Sequence, residues 1–144
     1  MPGKLALQSS EASDWNRPVL LGLSIVLLLA GLLGFVIPPE RALSSGAVPY
    51  NLFHIAAGLL GASLAARGSP RAQAGFNFSF GLADLYLALA GVTGLFPAHL
   101  FALKPADHVI HVLLGGFLVV VGLRGLVRRP RLSPSVLGAP GRQR

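Results

Sequence analysis

The chain has 144 residues, of which 53% are hydrophobic and only 12% are charged. Soluble domains carry about 25% charged residues, so this composition indicates an integral membrane protein. The sequence contains no cysteine, which excludes disulfides, thiolate metal ligands and a cysteine nucleophile. The formal charge of +7 does not indicate nucleic-acid binding, because it lies between apolar segments rather than on an amphipathic surface.

Four apolar segments are long enough to form transmembrane helices, which need roughly 20 residues each. They cover residues 19–37, 52–66, 76–96 and 109–127. Proline ends the first segment at Pro38 and the third at Pro97, because it cannot continue a helix. Asn51 is the predicted N-cap of the second segment and Asp107 that of the fourth. The short connections make neighbouring helices antiparallel, and the sequence therefore predicts an all-α four-helix membrane bundle.

Lysine and arginine are distributed unevenly between the two sides of this bundle. Arg41 and Lys104 lie in the loops of one side, and the other ten of the 12 basic residues lie on the opposite side. Because basic residues favour the cytoplasmic side, we expect both termini to be cytoplasmic. The first segment is longer than the apolar core of about 7–15 residues in a signal peptide, so we expect an anchor.

The two ends of the chain differ from the membrane domain at residues 19–127. Residues 1–18 and the basic residues 128–144 are rich in Pro, Ser, Gly and Arg and show no periodicity, so we expect a disordered arm and tail. The tail is expected either to lie against anionic headgroups or to act only as a topology signal.

The chain contains a possible internal repeat. The stretch AGLLGF, from Ala30 to Phe35, resembles AGVTGL, from Ala90 to Leu95. In the same order, HIAAG at 54–58 resembles HVLLG at 111–115. Two tandem helical hairpins would explain this order, and they would be related by an axis along the membrane normal. Chance recurrence of small-residue patterns is the alternative.

Small residues recur on one face of three segments, at the steps of three and four residues that align on a helix. Close approach over such residues drives much of helix association in lipid, so helices are expected to meet there. The faces are His54, Gly58, Gly61 and Ala65; Gly81, Asp84, Ala88 and Gly91; and His111, Gly115 and Gly122.

Asp84 lies about mid-membrane in the third segment, where an ionised carboxylate costs about 2.5–3.5 kcal/mol. It is either a proton- or cation-binding group or a neutral acid hydrogen-bonded to a neighbouring helix, and the structural interpretation is favoured. The nearest polar candidates for such a bond are Ser24, Ser63 and Tyr86.

A second candidate site is a polar cluster where two helices begin, formed by Asn51, His54, Asp107 and His111, with Tyr50 nearby. Asp107 and His111 are four residues apart and share a helix face. The favoured interpretation is capping and cross-helix hydrogen bonding. A zinc-type ion site is the alternative, although no HExxH motif supports it.

The sequence gives no sign of catalysis, since it contains neither a GxSxG elbow nor a glycine-rich phosphate loop. No catalytic residue, no metal ligand set and no cofactor are predicted. Haem held between His54 and His111 stays a weaker alternative.

The motifs N-x-x-H-x-x-x-G at Asn51 and D-x-x-x-H at Asp107 give the chain a family resemblance. Over about residues 15–127 the sequence resembles a bacterial membrane family catalogued as domain of unknown function 4383. The resemblance implies a four-span protein of the bacterial plasma membrane with no established activity, cofactor or partner.

The leading hypothesis is a non-enzymatic bundle that contacts the lipid bilayer and whose polar cluster fixes helix packing or binds a small ligand. The alternative is a small ion- or proton-coupled transporter that uses Asp84 and the histidines. Four spans are few for a complete pathway, so that function would require a homodimer or another membrane protein.

Overall fold

The computed structural model describes residues 15–127, and this part of the chain is helical and contains no strand. Four of its five helices are long and apolar enough to cross a membrane. The predicted all-α four-helix membrane fold is therefore confirmed. The helices are α1 (Asn16–Leu33), α2 (Val48–Arg67), α3 (Pro70–Thr93), the short α4 (Ala98–Phe101) and α5 (Pro105–Val127).

Every long helix begins several residues before the apolar run that predicts it. Proline stands in the first turn of each of them, at Pro18, Pro49, Pro70 and Pro105. Proline suits this position because its missing N–H would have no partner there and its φ angle is already helical. Residues 16–18 consequently belong to α1, not to the predicted arm. Residues 1–14 of that arm and the tail from residue 128 lie outside the described chain.

The predicted C-terminal ends of the first and third helices and both predicted N-caps are wrong. The first helix ends at Leu33 rather than near residue 37, and α3 ends at Thr93, where Gly94 adopts a left-handed φ of 71°. Glycine terminates helices in this way because it has no side chain to clash. Asn51 lies inside the first turn of α2, whose N-cap is Ala47, and Asp107 lies inside α5.

The helices form two hairpins, α1 with α2 and α3 with α5, and α3 and α5 share the most extensive contact. Glycines permit both close approaches. A Cβ added at Gly58 would lie 3.0 Å from the carbonyl oxygen of Ser24, and one at Gly115 would lie 2.8 Å from that of Gly81. The predicted small-residue faces are thus the places where helices meet. Leu20, Leu27 and Leu118 form the buried apolar core between the hairpins.

The two ends of the bundle carry different polar residues. At what we call the arginine end, Arg17 Nε donates to the carbonyl of Ala65 at 3.1 Å, and Asn77 Nδ2 donates to Asn16 Oδ1 at 3.1 Å. At the histidine end, where α2 and α5 begin, lie His54, His108, His111 and Lys104. The described basic residues thus segregate as the sequence predicts. Which end is cytoplasmic stays a prediction.

Candidate functional site

Tyr50, in the first turn of α2, is the centre of the polar site at the histidine end. Its hydroxyl lies 3.2 Å from Asp107 Oδ1 and 3.2 Å from His111 Nε2, both on α5. A hydroxyl has one proton, so when Tyr50 donates to Asp107 it accepts from His111 Nε2. This leaves His111 Nδ1 as an acceptor, and that buried atom has no partner within residues 15–127.

Asp107 is 1% exposed and accepts three hydrogen bonds. Besides the Tyr50 hydroxyl, the backbone N–H groups of Ser45 and Lys104 donate to its Oδ2 at 3.0 and 2.8 Å. Lys104 immediately precedes α5, so the carboxylate satisfies an N–H group at that helix start, as in half of a capping box. One side chain therefore joins α2, α5 and the loop that precedes α2.

Ser45 extends the site into the loop between α1 and α2. Its hydroxyl donates to the carbonyl of Phe101 in α4 and accepts from the N–H of Ala47 at 3.1 Å. Lys104 reaches the same loop from the other direction, because its Nζ donates to the carbonyls of Pro39 and Ala42 at 2.6 and 2.7 Å. The loop is thus held against the start of α5 by both backbone and side-chain bonds. We call Ser45, Tyr50, Asp107 and His111 the Tyr50 network.

His54 joins the site through the tyrosine ring. Its Nδ1 lies 2.8 Å from the carbonyl oxygen of Tyr50, one turn earlier in α2, and the two ring centroids are 4.2 Å apart. His111 packs on the same tyrosine, with a centroid distance of 6.2 Å. Both imidazoles therefore contact Tyr50, and His111 Nε2, a possible axial haem ligand, is occupied by the tyrosine hydroxyl.

Asn51 is the predicted cluster member that the structure places elsewhere. Its amide donates to the carbonyl of Gly46 at 3.2 Å, and its Oδ1 would lie 2.1 Å from a Cβ added at Gly34. Asn51 therefore fits the gap beside a glycine that follows α1 and holds the loop before α2. It is a packing residue of the first hairpin and forms no hydrogen bond with the Tyr50 network.

Sequence reasoning left Tyr50 and Ser45 out of the cluster. Tyr50 precedes His54 by four residues, a spacing that places both on one helix face and that signals contact between them. No comparable signal exists for Ser45, because its partners are far away in sequence. Within residues 15–127, no group of three His, Asp or Glu side chains is arranged to hold a metal ion, so the zinc-type alternative finds no ligand set there.

Asp84 lies on α3 at its interface with α5, since a Cβ added at Gly115 would lie 2.9 Å from the Asp84 Cβ. The residue is 3% exposed, and its Oδ2 has no hydrogen-bond partner within the described chain. The expected cross-helix bond to this oxygen is absent there. His111 precedes Gly115 by one turn of α5, and its Nδ1 is likewise buried without a partner within residues 15–127. The same holds for Nδ1 of His108, which packs against Gly91 of α3.

The three predicted partners of Asp84 bond to backbone carbonyls instead. Ser24 donates to Leu20 at 2.7 Å and Ser63 to Leu59 at 2.8 Å, each one turn back in its own helix. Tyr86 donates to the carbonyl of Phe96 at 2.6 Å. Serine forms such local bonds readily inside helices, which removes it as a cross-helix donor.

Comparison of the chain with protein-family models, with curated proteins and with solved structures finds no match. The resemblance to domain of unknown function 4383 therefore stays a prediction.

Proposed function

We propose that this membrane protein is a non-enzymatic helical bundle in which the Tyr50 network fastens the two hairpins together at the histidine end. The observation that carries the proposal is the position of the Tyr50 hydroxyl, 3.2 Å from both Asp107 and His111. A tyrosine of the first hairpin thereby bonds two residues of the second.

The Tyr50 network can fasten the hairpins because it lies between them. Within residues 15–127 the backbones of α2 and α5 do not approach closely, so side chains must connect them. Lipid provides no hydrophobic force between helices, and polar contacts across helices are worth about 0.6 kcal/mol on average and up to about 1.7. The site supports attachment rather than chemistry, because both Asp107 oxygens and His111 Nε2 are already engaged by protein groups.

A double-mutant cycle of Tyr50→Phe and His111→Ala tests this function. Reversible unfolding of the full chain in mixed micelles is expected to give a coupling energy of about 0.6–1.7 kcal/mol, because the two side chains share one bond. The control cycle pairs His111→Ala with Tyr86→Phe, whose hydroxyl bonds Phe96 instead. Additive effects in the first cycle would overturn the proposal.

The proposal includes a location. The arginine end contains Arg17, Arg67 and Arg124. This excess of basic residues supports cytoplasmic termini under the positive-inside rule. The resemblance to domain of unknown function 4383 supports a bacterial plasma membrane. Cysteines introduced at Ser69 and at Leu43, one in each type of loop, are expected to react with a membrane-impermeant reagent from the cytoplasmic and external side respectively.

A second candidate function is proton- or cation-coupled transport, favoured by buried polar atoms of titratable side chains in α3 and α5 that have no partner within residues 15–127, namely Asp84 Oδ2, His108 Nδ1 and His111 Nδ1. Asp84 Oδ2 and His111 Nδ1 are buried polar atoms of the kind that bind protons or ions in membrane transporters. Proteoliposomes with an internal pH dye would then show flux that Asp84→Asn abolishes and Glu40→Gln leaves unchanged. Wild-type flux equal to that of empty liposomes would exclude proton transport by the chain alone.

A further inference from the structure

A groove runs along the outside of the bundle between α1 and α5, which touch only slightly. The half nearer the middle of the two helices is an apolar cavity of about 180 Å³, lined by Val19, Leu23, Val26, Leu114, Phe117 and Leu118. The other half is a cavity of about 420 Å³ that opens at the arginine end and also contacts Val19 and Phe117. The two cavities adjoin at these shared residues, and we call them together the α1–α5 groove.

The open end of this groove carries groups suited to an anion at a membrane surface. Trp15 and Arg124 line it together with Asn16. Trp15 is 63% exposed, and tryptophan favours the headgroup level of a bilayer. Arg124 has no hydrogen bond or ion pair within residues 15–127, so its guanidinium is available for the bidentate contact that it makes with phosphate.

The length of the groove matches one leaflet. From Arg124 to Leu114, α5 covers ten residues (124 − 114), about 15 Å at a rise of about 1.5 Å per residue. The hydrocarbon core of a bilayer is about 30 Å thick, so the groove extends from a headgroup level to about the midplane.

We infer that the α1–α5 groove binds one anionic phospholipid, whose phosphate contacts Arg124 and whose acyl chain lies along the apolar half. Charge complementarity supports this occupant, because the headgroup of an anionic phospholipid supplies the negative charge that the Arg124 guanidinium at the open end of the groove can bind.

Trp15 is the only tryptophan of the chain, so its fluorescence reports directly on the groove. The full chain is reconstituted in mixed vesicles in which either phosphatidylglycerol or phosphatidylcholine is brominated near the headgroup. Brominated phosphatidylglycerol is expected to quench Trp15 with an apparent affinity about 3- to 10-fold above that of phosphatidylcholine, equivalent to roughly one charge-assisted contact.

Two matched pairs of variants localise the effect. Arg124→Gln is expected to abolish the preference, whereas Arg71→Gln, which removes an exposed cation outside the groove, retains it. Val26→Phe narrows the apolar half and should weaken quenching, whereas Ile25→Phe, an adjacent exposed position that does not line the groove, should not.

Equal losses in Arg124→Gln and Arg71→Gln would reduce the effect to general surface charge and overturn the proposal. An unchanged preference in Arg124→Gln, or unchanged quenching in Val26→Phe, would overturn it as well. If neither brominated lipid quenched Trp15, the proposal would also be overturned. That result would indicate that a second copy of the chain covers the groove.

Discussion

The Tyr50 hydroxyl lies 3.2 Å from Asp107 Oδ1, and this contact joins the first turn of α2 to the first turn of α5. A carboxylate in a first turn is favourable because the helix dipole is positive there. Asp107 therefore stabilises its own helix and at the same time holds a second helix and a loop, which makes it the most connected polar side chain at the histidine end.

Asp107→Asn is expected to lower the free energy of unfolding by about 1.5–3 kcal/mol. Asparagine has nearly the shape of aspartate, but one of its two terminal atoms is a donor, whereas both Asp107 oxygens accept hydrogen bonds from donors. If Nδ2 faced the backbone N–H groups, donors would meet; if it faced Tyr50, the hydroxyl would have to accept from it and turn its proton to His111 Nε2. In both cases the negative charge at the start of α5 is lost. Unfolding in mixed micelles measures the change.

Glu40→Gln is the matched control, since Glu40 is an exposed acid in the loop between α1 and α2. Its free energy of unfolding is expected to stay within about 0.5 kcal/mol of wild type. Equal losses in the two variants would show that the negative charge of this end matters rather than the bonds of Asp107.

The sequence allowed the general position of the site to be predicted but not which residues hydrogen-bond to one another there. Periodicity placed Asp107 and His111 on one helix face and His54 in the small-residue stripe of α2, and all three are buried in the structure. The role of Tyr50 depends on how two helices that are distant in sequence face one another, and no local pattern encodes that. Asn51 was wrongly assigned to the cluster for a related reason. Its side chain fills a space beside Gly34 that exists only once α1 and α2 have packed together.

Helix boundaries show a second physical limit of the sequence interpretation. Hydropathy locates the part of a helix that lies in lipid, whereas the helix itself begins in the polar turn that proline initiates. The structure consequently adds polar first turns to α2, α3 and α5. The first turns of α2 and α5 hold Tyr50 and Asp107, so the helix extensions that hydropathy misses also contain the site.

Gly115→Ala and Gly116→Ala are expected to change stability in opposite directions. A Cβ at Gly115 would lie 2.8 Å from the carbonyl oxygen of Gly81 and 2.9 Å from the Asp84 Cβ, so α3 and α5 must separate, at a cost of about 1–3 kcal/mol. A Cβ at Gly116 would meet nothing within 4 Å, and alanine should stabilise the helix by up to about 1 kcal/mol. Thermal unfolding in detergent distinguishes them. Similar melting temperatures for both variants would contradict the close α3–α5 contact.

Lys104→Met is expected to release the loop between α1 and α2 without unfolding the bundle. Methionine retains an apolar stem but cannot donate to the carbonyls of Pro39 and Ala42. Hydrogen exchange over residues 40–47 should accelerate about 5- to 10-fold, which corresponds to losing about 1–1.4 kcal/mol of local stability. Arg41→Met, which alters an exposed side chain of the same loop, is the control. Unchanged exchange in Lys104→Met would show that the loop is held by Asp107 and Ser45 alone.

Asp84→Ala and Asp107→Ala compare two buried carboxyl groups with opposite surroundings. Oδ2 of Asp84 has no partner within the described chain, whereas Asp107 accepts three bonds. Alanine at position 84 keeps the Cβ that contacts Gly115 and removes a buried polar group without a partner, which costs about 1–3 kcal/mol, a gain partly offset by the cavity it leaves. Unfolding measurements should therefore find Asp84→Ala at least as stable as wild type and Asp107→Ala less stable by about 2 kcal/mol or more. A large loss in Asp84→Ala would instead mean that the carboxyl group has a stabilising partner, such as a bound water or ion, at the α3–α5 interface.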